Sequence, residues 1–307
     1  MAKTSSTGCQ TLAAAARLTG RAAAAGKLCR VQRNGVAQDG ALVRAEQPWG
    51  DEQLAGLYDA FSFDGDLSLY LELAAAQGQR VLEVACGSGR VLVPLVQSGF
   101  GVVGVDISPH MLAIARAKLQ DLPAAMQERA ELVKGDMRTF DLPRREFDLA
   151  VVAVKSFAYL TERSDQVATL VNIARHLRDG GVLAIDFMHP RLDWLGAANG
   201  TMKDDLLQTV RERGFTLSRV ESVVSTDLAR QVRVIRSIYE RIDTHGAVLE
   251  KRFVEWPYRW THRFEAEHLL ERAGFEIDGL YGGYEREPFT SGSATMLFVA
   301  RKTQPVR

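Results

Sequence analysis

The sequence predicts an α/β fold: a doubly wound, mostly parallel sheet of seven strands, with a three-stranded antiparallel meander inserted before the last two. Three observations predict it. Between residues 81 and 187, short apolar strands alternate with amphipathic helical stretches, an order that places helices on both faces of a parallel sheet. The run Phe147-Asp148-Leu149-Ala150-Val151-Val152-Ala153-Val154 is too apolar for a half-exposed strand and suits a central strand covered on both sides. After residue 187 the helical period stops, and three long β-branched, aromatic-rich segments follow at 216–226, 231–242 and 248–260.

The elements follow in order. Residues 1–45 carry two alanine blocks, scattered Arg and Lys, and no acid before Asp39. Such a start is either a transit peptide or an extension outside the fold. Arg17 and Arg21 interrupt the alanine blocks, which favours the extension, so the domain is placed at 46–303, with 304–307 as a tail. Leu54, Leu57, Tyr58 and Phe61 share one helical face, and a second helix over 67–75 leads through Gly78 to the first strand. That strand, Val81-Leu82-Glu83-Val84, enters the turn Ala85-Cys86-Gly87-Ser88-Gly89, and a helical pattern resumes at Val91, Leu92, Leu95 and Val96. The second strand, 101–105, ends in Asp106, and Ser108-Pro109 reads as an N-cap with proline in the first helical turn. A third strand at 131–133 ends at Gly135-Asp136-Met137. The 147–154 strand is fourth; a helix over 166–177 stops at Asp179-Gly180-Gly181, and the fifth strand is 182–187. The inserted meander, placed at 208–260, precedes a helix over 263–273 and two last strands, 275–281 and 295–301.

Composition excludes several classes. Lys+Arg and Asp+Glu balance at 38 each, so bulk charge points to neither nucleic acid nor a membrane surface. No run reaches the roughly 18 apolar residues of a transmembrane helix. The three cysteines, Cys9, Cys29 and Cys86, have neither metal-ligand spacing nor an even disulfide framework, and a cytoplasmic setting is the simplest.

The turn after the first strand is the chemical centre of the chain. Glycines at 87 and 89 let a ligand approach the backbone, and the following helix start presents free N–H groups and a positive dipole end. A dinucleotide fingerprint would need a third glycine where Leu92 stands, although an acid does follow at Asp106. The alternative pattern is an acid followed by spaced glycines, Glu83-Val84-Ala85-Cys86-Gly87-Ser88-Gly89, with alanine at 85 in place of a glycine. With Asp106 closing strand two, Gly135-Asp136-Met137 after strand three and Ala273-Gly274-Phe275 before the last strands, residues 54–303 resemble the class I S-adenosylmethionine-dependent methyltransferases. The resemblance implies a Rossmann-like methyltransferase fold and S-adenosyl-L-methionine as cofactor. It implies a binding set of Tyr58, Glu83, Ala85, Gly87, Gly89, Asp106, Ile107, Asp136 and Met137.

Physical chemistry gives these positions roles within that reading. One carboxylate can accept from both hydroxyls of a ribose, which suits Asp106; Asp136 can accept from the adenine amino group, with Met137 as a polarisable wall. An aromatic face such as that of Tyr58 is favourable beside a sulfonium. Each of these acids could otherwise be a helix cap or turn residue, and Tyr58 could be helix-face packing. Cys86, with no histidine nearby in sequence, reads as a packed turn residue. For catalysis, His189 just past strand five is placed to act as base, and Tyr258 in the meander is a second candidate, with His262 beside it.

The expected activity is methyl transfer to a small-molecule acceptor, the meander roofing its pocket. A protein or RNA methyltransferase, or a cofactor-binding module without catalysis, are the competing readings. Apolar residues on both faces of the meander, Val232, Val234 and Ile238 against Ile235 and Tyr239, call for cover on both sides, and a homodimer is one way to supply it.

Overall fold

The structure, a computed structural model, describes residues 42–44, 49–196, 200, 208–212 and 214–303. Its elements are β1 (Leu42–Arg44), α1 (Glu52–Leu57), α2 (Leu67–Gln77), β2 (Arg80–Val84), α3 (Leu92–Gln97), β3 (Gly101–Asp106), α4 (Pro109–Gln120), α5 (Ala124–Gln127), β4 (Ala130–Lys134), β5 (Phe147–Val152), α6 (Arg163–His176), β6 (Leu177–Met188), α7 (Leu192–Leu195), β7 (Gln208–Glu212), β8 (Phe215–Asp227), β9 (Val232–Asp243), β10 (Val248–Arg259), α8 (Arg263–Arg272), β11 (Phe275–Tyr281) and β12 (Thr295–Lys302). Single 3-10 turns lie at Asp59–Phe61 and Ser156–Tyr159.

The main sheet has seven strands in the order β11-β12-β6-β5-β2-β3-β4. β2 to β6 run parallel, while β12 pairs antiparallel with β6 and β11 antiparallel with β12. Residue parity decides which side each apolar group covers. Leu82, Val84, Val103, Val105, Ala150, Val152, Leu183 and Ile185 enter one core with α6 and α8. Val81, Val102, Leu149, Val151, Val182 and Ala184 enter the other, with α2 and α3. Both faces are dry, as an unbroken apolar strand requires. Chain order reverses at β2, which has β3 on one side and β5 on the other. A crevice therefore opens beyond the carboxyl ends of these strands, where such sheets bind ligands.

The inserted sheet differs from the expected three strands. It has five, in the order β1-β10-β9-β8-β7, with β7 to β10 antiparallel and β1 parallel to β10. β7 has the sequence Gln-Thr-Val-Arg-Glu, too polar and short to signal a strand, and is held by its ladder to β8. β1 falls within the segment expected to be an extension, so three residues of 1–45 belong to this sheet; residues 1–41 and 304–307 lie outside the described residues. One face of the insertion packs on the main domain, with Val223, Ile235 and Tyr258 against Ala158, and Tyr239 and Val254 against Leu54. Arg233 is fully buried on this face; its guanidinium lies 4.1 Å over the Trp194 ring and donates to the Trp194 and Leu195 carbonyls. On the other face Val232, Val234 and Ile238 are half-buried within the chain. No described helix is long and apolar enough to cross a membrane.

Candidate active site

A cavity of about 700 Å³ lies in the crevice at the strand-order reversal, walled by Ala85 and Gly87 of the turn, by the ends of β3 and β4, and by the inserted sheet. The turn is shaped by left-handed residues: Ala85 at φ 59°, Gly87 at 53° and Gly89 at 77°. Alanine costs roughly 1–2 kcal/mol in that conformation, which accounts for glycine being the easier residue at 85. A Cβ on Gly87 would meet only the flexible end of Met111, Cε at 3.0 Å, so it is the φ that favours glycine there.

Asp106 ties the turn to the next strand. The Gly87 N–H donates to one carboxylate oxygen at 2.8 Å and the Ser108 N–H to the other at 2.8 Å. Burial pushes its pKa up, and the N–H groups of Ser108, Gly87 and Ile107 pull it back. Ser108 caps α4 through the Met111 N–H and donates to the Trp49 carbonyl. Ile107, Asp136 and Met137 line the same wall. Both Asp136 oxygens receive the Arg138 guanidinium, which holds the carboxyl below its ordinary range, and Arg138 reaches Asp165 at 2.8 Å.

Tyr58 lines the cavity with its ring edge-on to Trp49, the centroids 4.9 Å apart. The segment is clasped by Asp59, which accepts from Ser88 Oγ at 2.6 Å and pairs with Lys118 at 2.7 Å. Glu83 is not on the cavity wall. It lies 3% exposed behind the turn, and burial raises its pKa from 4.5 to about 8. Its Oε2 has no hydrogen-bond partner. Cys86 is buried against Gly104, whose Cβ would stand 2.8 Å from the sulfur; the turn-residue reading of this cysteine fits that packing.

The backbone of the turn after β5 carries no signal in the sequence. Val154 and Lys155 are consecutive non-glycine residues at φ 54° and 58°. The fully buried Asp186 holds them there: Oδ1 accepts the Lys155 N–H at 2.9 Å, Oδ2 accepts the Tyr284 hydroxyl at 2.5 Å, and Lys155 Nζ lies 3.5 Å away. Two strained residues cost roughly 1–3 kcal/mol each and persist where surroundings over-determine them. The next residue, Ser156, lines the cavity.

The inserted sheet supplies part of the far wall, through residues that the sequence did not single out for the site. Tyr159 and Trp256 pack at 5.4 Å, and Val234, Glu255 and Pro257 of the inserted sheet complete it. Neither catalytic candidate reaches this wall. The His189 Nδ1–H donates to the Ser293 carbonyl at 2.8 Å, and its ring packs on Phe289, 4.9 Å between centroids. Tyr258 is buried under the sheet with Ala158, Val223 and Ile235, and burial raises its pKa well above the ordinary value. His262 begins α8 in a capping box with Glu265.

The site fits an adenosyl cofactor on its own terms: a left-handed turn with only Ala85 and Gly87 on the cavity, and a carboxylate fixed on the wall at Asp106. The fold is that of the Rossmann-like methyltransferases, and the chain is similar to class I members that use S-adenosylmethionine. Residues 81–181 match the family described as "Methyltransferase domain". The chain is 27% identical to the cypemycin N-terminal methyltransferase of a Streptomyces species, over 73% of this chain and 84% of the relative. It is also 27% identical to the dTDP-3-amino-3,4,6-trideoxy-alpha-D-glucopyranose N,N-dimethyltransferase of Streptomyces venezuelae, over 71% of this chain and 84% of the relative. In fold it is similar to the CcbJ methyltransferase of Streptomyces caelestis, with a TM-score of 0.68 at 22% identity, over 84% of this chain and 99% of that one.

Proposed function

We propose that the chain methylates a nitrogen of a small-molecule amine. The observation that carries the reading is the single cavity wall that runs from the glycine turn and Asp106 to the rings and carboxylate of Tyr159, Trp256 and Glu255. One compartment can then hold cofactor and acceptor side by side, as transfer between two bound groups requires. Two relatives whose names specify N-methylation support the choice of atom. When bound, the cofactor supplies an electrophilic methyl on a sulfonium.

The roles of the chain's own residues follow. Asp106 would accept from the ribose hydroxyls while Gly87 and Ser108 keep it oriented. Asp136, steadied by Arg138, and Met137 would hold the adenine, with Ile107 beside it; Tyr58 and Trp49 would cover the cofactor and exclude water. Ala85 and Gly87 leave room for its methionine portion. The Val154–Ser156 turn, fixed by Asp186, would set the distance between donor and acceptor. The balance of 38 basic and 38 acidic residues supports a small molecule over a nucleic acid, and the buried free thiol of Cys86 is compatible with a cytoplasmic setting.

Purified protein incubated with S-adenosylmethionine and a panel of amines, alcohols and thiols tests the reading by release of S-adenosylhomocysteine. Product with amines supports it. Product only with oxygen, sulfur or carbon acceptors overturns the atom, and tight cofactor binding without product in any case would instead make the chain a binding module.

A further inference from the structure

We infer that the acceptor is an amine without phosphate, and that the cavity selects against an amino sugar carried on a nucleoside diphosphate. The inference rests on the proposed N-methylation and adds the chemical class of the acceptor. The names of the relatives frame the choice, since one specifies an N-terminus and the other a dTDP-linked amino sugar.

A diphosphate is recognised by Arg or Lys free to pair with it, or by an unoccupied helix N-terminus. Among the described residues, the cavity wall holds one guanidinium, Arg138, and four carboxylates, of which Asp106 and Asp136 belong to the proposed cofactor end and Asp165 and Glu255 remain for the acceptor. Arg138 is already committed: Nε and NH2 lie on Asp136, and NH1 lies 2.8 Å from Asp165. Behind the wall, Arg236 is bonded to Glu255, and Arg259, which donates to the Thr161 carbonyl, lies 2.8 Å from Glu265. The N-terminus of α6 opens nearby, but its first turn carries Asp165. A diphosphate here would have to break a carboxylate–guanidinium pair and sit beside the carboxylate it released.

The wall offers the opposite chemistry. Trp49 with Tyr58 and Tyr159 with Trp256 form two aromatic pairs, with centroids 4.9 and 5.4 Å apart, and Glu255 and Pro257 stand beside the second. Ring faces attract an ammonium and also receive an apolar or cyclic scaffold, and both Arg236 bonds to Glu255 fall on one oxygen, Oε1, which leaves Oε2 for the ammonium. Release of the ammonium proton to solvent water before attack frees the lone pair and leaves the neutral nitrogen in the same surroundings.

Acceptors matched in their amine decide between the two classes. A dTDP-linked 3-amino sugar, the same amino sugar as its methyl glycoside, a short peptide with a free N-terminus and a cyclic secondary amine are compared by release of S-adenosylhomocysteine. The expected result is kcat/KM at least about tenfold higher for a phosphate-free amine than for the nucleotide-linked sugar, from the charge of the wall. Glu255→Gln should raise KM for the preferred amine by about tenfold with cofactor affinity unchanged. Preference for the nucleotide-linked sugar overturns the inference while leaving N-methylation intact, as does inhibition by dTDP competitive with the amine. An unchanged KM in folded Glu255→Gln also overturns it. If no amine reacts and a hydroxyl or thiol acceptor does, the N-methylation reading itself has failed.

Discussion

Glu83 is a carboxylic acid in a place where an ionised carboxylate is costly. It sits between β3 and β5 at 3% exposure, and Oε2 finds no donor. Burial is the main cause of its rise from 4.5 to about 8; Arg90 opposes the rise, and Asp106 and Asp66 add to it. The unfolded chain releases this proton near pH 4.5, while the folded chain keeps it until about pH 8. Between those values the native state binds the extra proton, so stability falls as pH rises through that window and levels off beyond it. At about 1.4 kcal/mol per unit, the whole span caps the loss at about 5 kcal/mol. Glu83→Gln has nearly the same shape and does not titrate, so the loss should vanish with it. Urea unfolding of both proteins at pH 5 and pH 8 measures the difference, since groups common to the two cancel. The wild type should lose about 2–4 kcal/mol more than Glu83→Gln on going from the lower to the higher pH. Equal losses would refute the assignment of a protonated, buried Glu83.

Three further outcomes follow from the packing. Asp186→Asn should loosen the Val154–Lys155 turn and lower kcat by about tenfold or more, the cost of about 1.4 kcal/mol of lost positioning; cofactor affinity should be near wild type in calorimetry, and an unchanged kcat would remove the turn from the chemistry. Tyr258→Ala should destabilise the protein by about 3–5 kcal/mol as a large buried ring is lost, whereas Tyr258→Phe should keep turnover; loss of turnover in a stable Tyr258→Phe would restore the hydroxyl as a catalytic group. A chain begun at Gly40 should melt as the full chain does, whereas one begun at Ala45 loses β1 and should melt lower by calorimetry; equal melting of the two would make β1 dispensable.

The parallel sheet was legible because parity and period are local signals: Leu149 and Ala150 point to opposite cores whatever the rest of the chain does. The places of Gly87, Asp106 and Asp136 on the cavity were legible because each lies at or just past the end of a strand, and strand ends at the order reversal converge by topology. The second sheet was legible only where its strands were long. β1 and β7 take their strand form from ladders to distant partners. The catalytic candidates His189 and Tyr258 fall outside the cavity lining because of where their side chains pack. Tyr258 lies one residue past the stretch of β10 that lines the cavity, Glu255 to Pro257, and is buried with Ala158, Val223 and Ile235, and His189 turns its ring to the Ser293 carbonyl. Trp49, Tyr159, Trp256 and Glu255 meet only through the docking of the second sheet, and isolated aromatics in sequence read as core. Nothing in the letters Val154-Lys155 signals a left-handed pair; the buried Asp186, an acid inside an otherwise apolar strand, was the available hint.

Calorimetric titration of S-adenosylmethionine into the wild type and into Asp106→Ala tests the site most directly. The carboxylate on the cavity wall, oriented by Gly87 and Ser108, should carry hydrogen bonds from the cofactor's ribose. Its removal should weaken binding by about 1.5–3 kcal/mol, the range for hydrogen bonds to a charged group, in a variant whose unfolding transition shows that it remains folded. Unchanged affinity in that folded variant, or tighter binding of NADH than of S-adenosylmethionine by the wild type, would contradict the assignment of this cavity.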